Sequence, residues 1–302
     1  MKCTCGREAV IELKYASRAL CRRCFLDWVE KRIGKNIRAN ALVDTHEKIG
    51  VAFSGGKDSA LTLHYLVNMS KRVPFEVCAI TVDEGIKGYR KESLAVGKKL
   101  CRSLGVEQKI VSFKELFGST LDKLVKNKQE RACSFCGVLR RKAINAAALE
   151  LKVDKVATGH NLDDEAQVVL MNYLRGDSAR LARGGAKNEP VYPGLVPRIK
   201  PLRTTPEKEA LLYCMLKGIE VHNGVCPYAK YAMRNDIRNI LDDFELKYPG
   251  TKFSVLHGYD RMLPCLKQGF KTESLGACLK CGEPASGKIC KVCQVLSGDK
   301  IE

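Results

Sequence analysis

Three things are scarce in this 302-residue sequence. No apolar run approaches the roughly 18–20 residues needed to cross a bilayer, so no membrane-spanning helix is expected. The start, Met1-Lys2-Cys3-Thr4-Cys5, lacks the apolar segment of a signal peptide, which points to a cytoplasmic protein without a membrane partner. Acidic residues are also short: 34 Asp and Glu stand against 52 Lys and Arg, a formal charge of +18. That imbalance points to a polyanionic partner such as nucleic acid. Hydrophobic residues at 45% and charged residues at 28% supply a sizeable core and exclude wholesale disorder. At roughly 150 residues per domain, the length suits about two domains.

Cysteine, by contrast, is abundant, with fifteen residues in a chain that shows no sign of export. In a reducing compartment such cysteines are metal ligands or reactive thiols more often than disulfides. Their spacing sorts them. Cys3, Cys5, Cys21 and Cys24 form C-x-C followed by C-x-x-C, and Cys278, Cys281, Cys290 and Cys293 form two C-x-x-C knuckles. Two knuckles brought together place four thiolates tetrahedrally on Zn2+, so one zinc is expected at each end of the chain. Cys133 and Cys136 make a third C-x-x-C in mid-chain, and five cysteines, Cys226 among them, stand alone.

Between the ends the pattern alternates. An amphipathic helix carries Phe25, Trp28, Val29, Ile33 and Ile37 on one side and Lys31, Arg32, Lys35 and Arg38 on the other. Strands are expected over 48–53, 75–82, 106–113, 155–158 and 198–202, and helices over 57–70, 89–104, 114–128, 135–151, 161–174 and 206–217. Residues 175–198 read as a long loop and 230–263 as helical and basic. Strand–helix alternation of this kind predicts an α/β fold, a parallel sheet with helices on both faces.

Ser54-Gly55-Gly56-Lys57-Asp58-Ser59 follows the first of these strands and opens its helix. Glycines let backbone approach a ligand closely, and N–H groups at a helix start point at an anion. Lys57 adds a point charge, Ser54 and Ser59 add hydroxyls, and Asp58 suits Mg2+ beside phosphates. Walker A spacing is absent. Asp83 ends the second strand, at the carboxyl edge where nucleotides bind in such sheets. Gly159 and His160 follow the fourth strand, with His160 either a nucleotide contact or a buried helix-start histidine.

Ser54–Ser59, Thr158-Gly159-His160-Asn161-Leu162-Asp163-Asp164-Glu165-Ala166, Leu174-Arg175-Gly176-Asp177, Cys133-Ser134-Phe135-Cys136-Gly137 and Cys226-Pro227-Tyr228 together resemble the tRNA 2-thiouridine synthetases. These are PP-loop ATP pyrophosphatases, here of the archaeal and eukaryotic-cytosolic type with two zinc fingers. The resemblance covers essentially the whole chain. It implies a Rossmann-like adenine nucleotide alpha-hydrolase sheet flanked by zinc ribbons, use of ATP and Mg2+, and sulfur transfer to a tRNA uridine. It implies a homodimer, and a donor that is either sulfide or a thiocarboxylated ubiquitin-like protein.

It also implies that Cys226 joins Cys133 and Cys136, and that Asp164 works near the reacting nucleotide. Three cysteines can hold a 4Fe-4S cluster with one iron open to exogenous sulfide; the rival scheme passes a persulfide between Cys136 and Cys226. A helix start just after Cys133 and Cys136 would lower their thiol pKa values. Some relatives carry a catalytic lysine where this chain has Arg140, which cannot act as a base. That leaves Lys142 as a substitute, or Arg140 as a phosphate-stabilising charge. Arg175, Arg180, Arg183, Lys187, Lys230, Arg234 and Arg238 are candidate tRNA contacts.

The expected division is a zinc ribbon over 1–28, a basic linker helix over 29–47, the nucleotide domain over 48–222, a helical tRNA-facing segment over 223–270 and a second ribbon over 271–302. Two other functions compete with thiolation, an amidating PP-loop ligase and a non-catalytic zinc-ribbon RNA-binding protein.

Overall fold

The computed structural model describes residues 1–188, 192–231, 233–270 and 275–298. At the start, β1 (Ile11–Leu13) and β2 (Arg18–Leu20) pair antiparallel beside the first four cysteines. Helix α1 (Arg22–Ala39) then begins inside the cysteine motif, so the expected 29–47 linker helix is continuous with the ribbon and ends earlier. Phe25, Val29, Ile33 and Ile37 recur at helical spacing and are fully or almost fully buried. Lys31, Lys35 and Arg38 stay exposed, whereas Arg32 turns inward to Glu209 at 2.7 Å.

The central body alternates as the sequence pattern predicts. In order come β3 (Lys48–Ala52), α2 (Lys57–Ser70), β4 (Glu76–Asp83), α3 (Arg90–Leu104) and β5 (Gln108–Ser112). Then follow α4 (Phe113–Phe117), α5 (Leu121–Leu124), α6 (Ala132–Glu150), β6 (Lys155–Thr158), α7 (Leu162–Leu174), α8 (Ser178–Ala182), β7 (Lys187–Asn188), β8 (Arg198–Ile199) and α9 (Glu207–Lys217). The six strands lie in the order β5-β4-β3-β6-β8-β7, parallel except for the edge strand β7. The chain runs outward from β3 to β5 and returns on the other side at β6. That reversal opens a crevice between the carboxyl ends of β3 and β6, where such sheets bind ligands.

Three expectations change. The helix expected over 114–128 is two short ones, because Gly118 at φ +69° ends α4 and Thr120 caps α5 anew. The long loop contains α8, capped by Asp177, and the strand β7. The basic stretch over 230–263 is two helices, α10 (Arg234–Lys247) and α11 (Thr251–Gly269), separated at Tyr248-Pro249-Gly250. Both pack on α7. Lys252 enters the seam to pair with Asp163 and Asp242, and Arg203 joins Glu165 to Asp260.

Near the end, β9 (Gly276–Ala277), β10 (Pro284–Ala285) and α12 (Lys291–Ser297) form the second cysteine ribbon. Val295 of α12 is buried in the same apolar cluster as Phe135, Leu139 and Ala143 of α6, so this ribbon rests on the helix that carries Cys133 and Cys136. Among the described residues no helix is long and apolar enough to cross a membrane.

Candidate functional site

The loop after β3 is shaped by close backbone approach. Gly55 sits at φ +87°, and a Cβ there would lie 2.7 Å from the Ser93 carbonyl oxygen, so no other residue fits without displacing α3. Ser54 Oγ lies 3.1 Å from Ser59 Oγ, and Ser59 Oγ donates to the Gly56 carbonyl at 2.9 Å, which closes the turn. From the neighbouring strand, Gly159 presses on the start of α2. A Cβ there would lie 2.9 Å from Asp58 C and Ser59 N. The two loops therefore meet at one point, with the N–H groups of α2 facing the crevice.

Lys57 Nζ reaches Asp58 at 3.0 Å and Glu207 at 2.7 Å. Burial works against its charge, but these two carboxylates hold its pKa above the ordinary value. Asp58 accepts from Asn161 Nδ2 at 3.0 Å, and burial pushes its pKa up against the pull of Lys57 and Asn161.

The three consecutive acids of α7 separate by environment. Asn161, rather than an acid, is the N-cap, and Asp164 completes a capping box with it. Asp163 accepts from the Glu207 backbone N–H at 2.7 Å and pairs with Lys252, while Glu165 is buried between Lys200 and Arg203. Both are committed to holding the fold. Asp164 alone faces the cradle, with Arg234 at 3.5 Å and a pKa raised by burial. Asp164 acts on the charge of Asp58, and Glu207 on that of Asp164; carboxylate oxygens of this kind are the ligands a hard cation such as Mg2+ takes. His160 Nδ1 lies 2.8 Å from Thr158 Oγ1, and burial together with Lys200 holds its pKa down to about 4, so the ring is neutral at pH 7. Asp83, at the end of β4, accepts from the Gly85 N–H at 2.9 Å.

The mid-chain thiols lie beside this cradle. Cys133 is exposed, Cys136 buried and Cys226 half-buried, and their charges act on one another. Both C-x-x-C cysteines lie within the first turns of α6, and their pKa values rise instead of falling as expected. Burial pushes Cys136 up to about 11 and Cys133 upward, outweighing the nearby Arg140. The loop bearing Cys226 is pinned at both ends. His222 N–H donates to the Gly55 carbonyl at 2.9 Å, and Tyr228 Oη donates to Asp122 at 2.8 Å. Cys133 Sγ lies 3.7 Å from the Tyr228 carbonyl oxygen.

Two residues that the sequence does not single out join cradle to thiols. Glu84, buried just beyond Asp83, pairs with Arg90 Nε at 2.8 Å and lies 3.8 Å from Arg140 Nε. Arg90 donates to the Ser54 carbonyl at 3.3 Å and to that of Val82. Arg140 Nη2 donates to Cys136 Sγ at 3.4 Å. A continuous path thus runs from Ser54 through Arg90, Glu84 and Arg140 to Cys136. Lys142 is not a substitute base at the thiols, since it pairs with Glu283 of the second ribbon. Of the proposed tRNA contacts, Arg234 and Arg238 face Asp164 and Glu207, at 3.5 and 3.8 Å. Lys230 lies over the Tyr231 ring. Arg175 meets Met233 Sδ, Arg183 donates to the Ala179 carbonyl, and Arg180 pairs with Asp177 at 3.1 Å.

Both end sets are true tetrads. Cys3, Cys5, Cys21 and Cys24, and again Cys278, Cys281, Cys290 and Cys293, bring all four sulfurs within 4.8 Å of one another. Sulfurs at about 2.3 Å from a tetrahedral Zn2+ stand about 3.8 Å apart, so the spacing fits. Backbone N–H groups on the sulfurs hold Cys3 and Cys278 down to about 6, whereas neighbouring thiols push Cys24 up to about 12 and burial pushes Cys293 up. The mid-chain trio is wider than either tetrad. Three thiols spaced more widely than a single-ion set suit a cluster of several irons better than one ion.

A family model for the PP-loop domain matches residues 27–243, and one for the 2-thiouridine synthetase TtuA N-terminal LIM domain matches residues 2–26. A probable sulfurtransferase of Methanocaldococcus jannaschii is 38% identical over 98% of this chain and 87% of its own. The tRNA 2-thiolation protein NcsA of Haloferax volcanii is 35% identical over 98% of both, and the cytoplasmic tRNA 2-thiolation protein 1 of Danio rerio 37% identical over 97% and 86%. Among solved structures, the U34-tRNA thiolase NcsA of Methanococcus maripaludis with its [4Fe-4S] cluster superposes with a TM-score of 0.85. It is 36% identical and covers 100% of this chain and 98% of its own.

Proposed function

Because the chain belongs to the tRNA 2-thiolation family of PP-loop proteins, we propose that it is an ATP-dependent sulfurtransferase that makes 2-thiouridine in tRNA. The observation that carries this reading is the unbroken path from Ser54 to Cys136, with the Cys226 loop hydrogen-bonded to Gly55. It lets one bound base meet nucleotide and thiols together.

Oxide is a poor leaving group from uracil C2. In the first step the C2 oxygen attacks the α-phosphorus of ATP, an O–P bond forms, and pyrophosphate departs with the electrons of the bond to Pα. The Ser54–Ser59 loop receives the β- and γ-phosphates, with Lys57 as a fixed positive charge. Asp58 and Asp164 would hold Mg2+ to offset the remaining charge. Asp164 is also placed to move the proton lost from the base, burial raising its pKa above the ordinary carboxylate value. In the second step sulfur attacks C2, the C–O bond breaks and AMP leaves.

Cys133, Cys136 and Cys226 would hold the 4Fe-4S cluster, which supplies an open iron to carry sulfide. Around it this chain excludes water through Phe135 and Leu139, and Arg140 stabilises negative charge at Cys136. Ser54, Gly55, Gly56, Ser59, Asp83, Gly159 and His160 complete the nucleotide site, and the two tetrads each take one Zn2+ as a structural ion. Sulfide or a thiocarboxylated ubiquitin-like protein is the donor, the enzyme is a cytoplasmic homodimer, and likeness to a U34-tRNA thiolase favours the wobble uridine.

The test is anaerobic reconstitution with ATP, Mg2+, sulfide and unmodified tRNA, reading nucleosides by mass spectrometry and pyrophosphate separately. Thiouridine and AMP should form in equal amounts, and Cys226→Ser should abolish thiouridine. Pyrophosphate release that Cys226→Ser leaves intact, with no thiouridine even from wild type, would instead favour an amidating ligase. Thiolation by iron-free wild type would overturn the cluster.

A further inference from the structure

Nearly every cation around the crevice has a carboxylate partner: Lys57 has Glu207, Arg90 and Arg140 have Glu84, Arg234 has Asp164, Lys200 has Glu165. Arg141 and Arg198 have none among the described residues. They are nevertheless drawn together, since Arg198 Nη2 donates to the Arg141 main-chain oxygen at 3.2 Å. The Arg141 guanidinium folds back along α6 until Nη1 lies 3.5 Å from where a Cβ on Gly137 would stand, next to Cys136. Arg198 opens β8, in register with Val156 on the strand that leads to His160.

The half-buried Arg198 guanidinium, set against the backbone of the exposed Arg141 with no counter-ion among the described residues, is disfavoured by burial in the free protein. Burial and Arg141 pull the Arg198 pKa down to about 10, and burial, Arg140 and Arg180 lower that of Arg141. An anion relieves that cost, and guanidinium forks match phosphate oxygens in pairs. The phosphates of ATP have their own cradle at Ser54–Ser59. Arg180, near enough to act on the charge of Arg141, is exposed, as are Arg183 and Arg175 of the same segment.

We propose that Arg141 and Arg198, with Arg180 at their outer edge, form a phosphodiester-binding subsite that fixes the tRNA backbone beside the target uridine. This rests on the tRNA-thiolation reading. The experiment compares Arg141→Gln, Arg198→Gln and the double variant with wild type and with Arg102→Gln, a control in the exposed last turn of α3. Binding of unmodified tRNA is followed by fluorescence anisotropy across a series of KCl concentrations, and ATP binding by equilibrium dialysis.

Each single variant should weaken tRNA binding about five- to tenfold at low salt and reduce the slope of log Kd against log salt by about 1. If both arginines grip one phosphate, the double variant also loses about 1, not 2. ATP binding and the control should match wild type, and Arg198→Gln should melt no lower than wild type because repulsion is relieved. Unchanged tRNA affinity and slope in both single variants would overturn the subsite. So would a loss of ATP affinity as large as the loss of tRNA affinity. Should Arg198→Gln fold poorly, Arg141→Gln, at an exposed position, decides alone. A wild type that binds no tRNA would sink the thiolation reading itself, a distinct result.

Discussion

Replacing Glu84 by Gln tests whether cradle and thiols are one mechanical unit. Its carboxylate is buried, with its side chain 7% exposed, and so is the Arg90 side chain at 5%. Gln keeps the shape and an acceptor oxygen but removes the charge, leaving the Arg90 guanidinium to the carbonyls of Ser54 and Val82 and the Ser93 hydroxyl. Stripping one partner from a buried ion pair costs about 3–5 kcal/mol, and the retained acceptor puts this case near 3 kcal/mol. A 302-residue chain has an unfolding entropy of roughly 0.6 kcal/mol/K, so the melting temperature should fall by about 5 °C.

A second effect is local. Burial raises the Cys136 pKa, Arg140 lowers it and Glu84 raises it again, so the Gln variant should carry more thiolate. In metal-free protein, alkylation of Cys136 should accelerate, tenfold for each 1.36 kcal/mol of repulsion removed. Thermal unfolding and mass-spectrometric alkylation rates measure the two effects. The decisive control is a double-mutant cycle with Arg90→Met, in which Glu84→Gln/Arg90→Met should cost at least about 2 kcal/mol less than the two single variants added. Additive losses, with alkylation of Cys136 unchanged, would refute the relay.

Glu207→Gln removes one of the two carboxylates on Lys57 and the one beside Arg238, so metal-free ATP should bind several-fold tighter in equilibrium dialysis; equal or weaker binding refutes the idea that Glu207 opposes phosphate binding. His160 gives a pH signature. Its native pKa near 4 lies below the ordinary 6.5, so the unfolded chain takes up the proton first. Its contribution is full above pH 6.5 and is lost as pH falls through 4, about 3 kcal/mol in all. Urea melts at several pH values should show this loss in wild type and not in His160→Gln; parallel curves would mean that His160 is charged when folded. Cys290→Ala should halve the zinc content, lower the melting temperature and reduce iron retained by the mid-chain thiols, because α12 and Glu283 brace α6. Iron retention equal to wild type would show the ribbon and cluster helix to be independent.

The division between legible and illegible residues follows the distance over which each is specified. The Ser54–Ser59 loop could be read because strand, glycines, lysine and helix start are consecutive, and the tetrads because thiol spacing is itself the constraint. The sequence reads as one helix over 114–128 because its apolar period carries on across Gly118, while the stop is a backbone conformation. Asp163, Asp164 and Glu165 are indistinguishable as neighbours on one turn; only partners from Glu207, Lys252, Lys200 and Arg203 take two of them out of the chemistry. Glu84 and Arg198 have no local signature at all, since the meaning of each lies in what it meets from another element, the Arg90 and Arg140 guanidiniums for Glu84 and the Arg141 main-chain oxygen for Arg198. The thiols make the same point with opposite sign. Proximity to a helix start argues for a lowered pKa, but desolvation depends on what folds over the sulfur, and for Cys136 it prevails. A thiol that stays protonated until metal or substrate arrives resists oxidation in the interval. For Cys136 that protection comes from packing around α6 and not from the sequence motif.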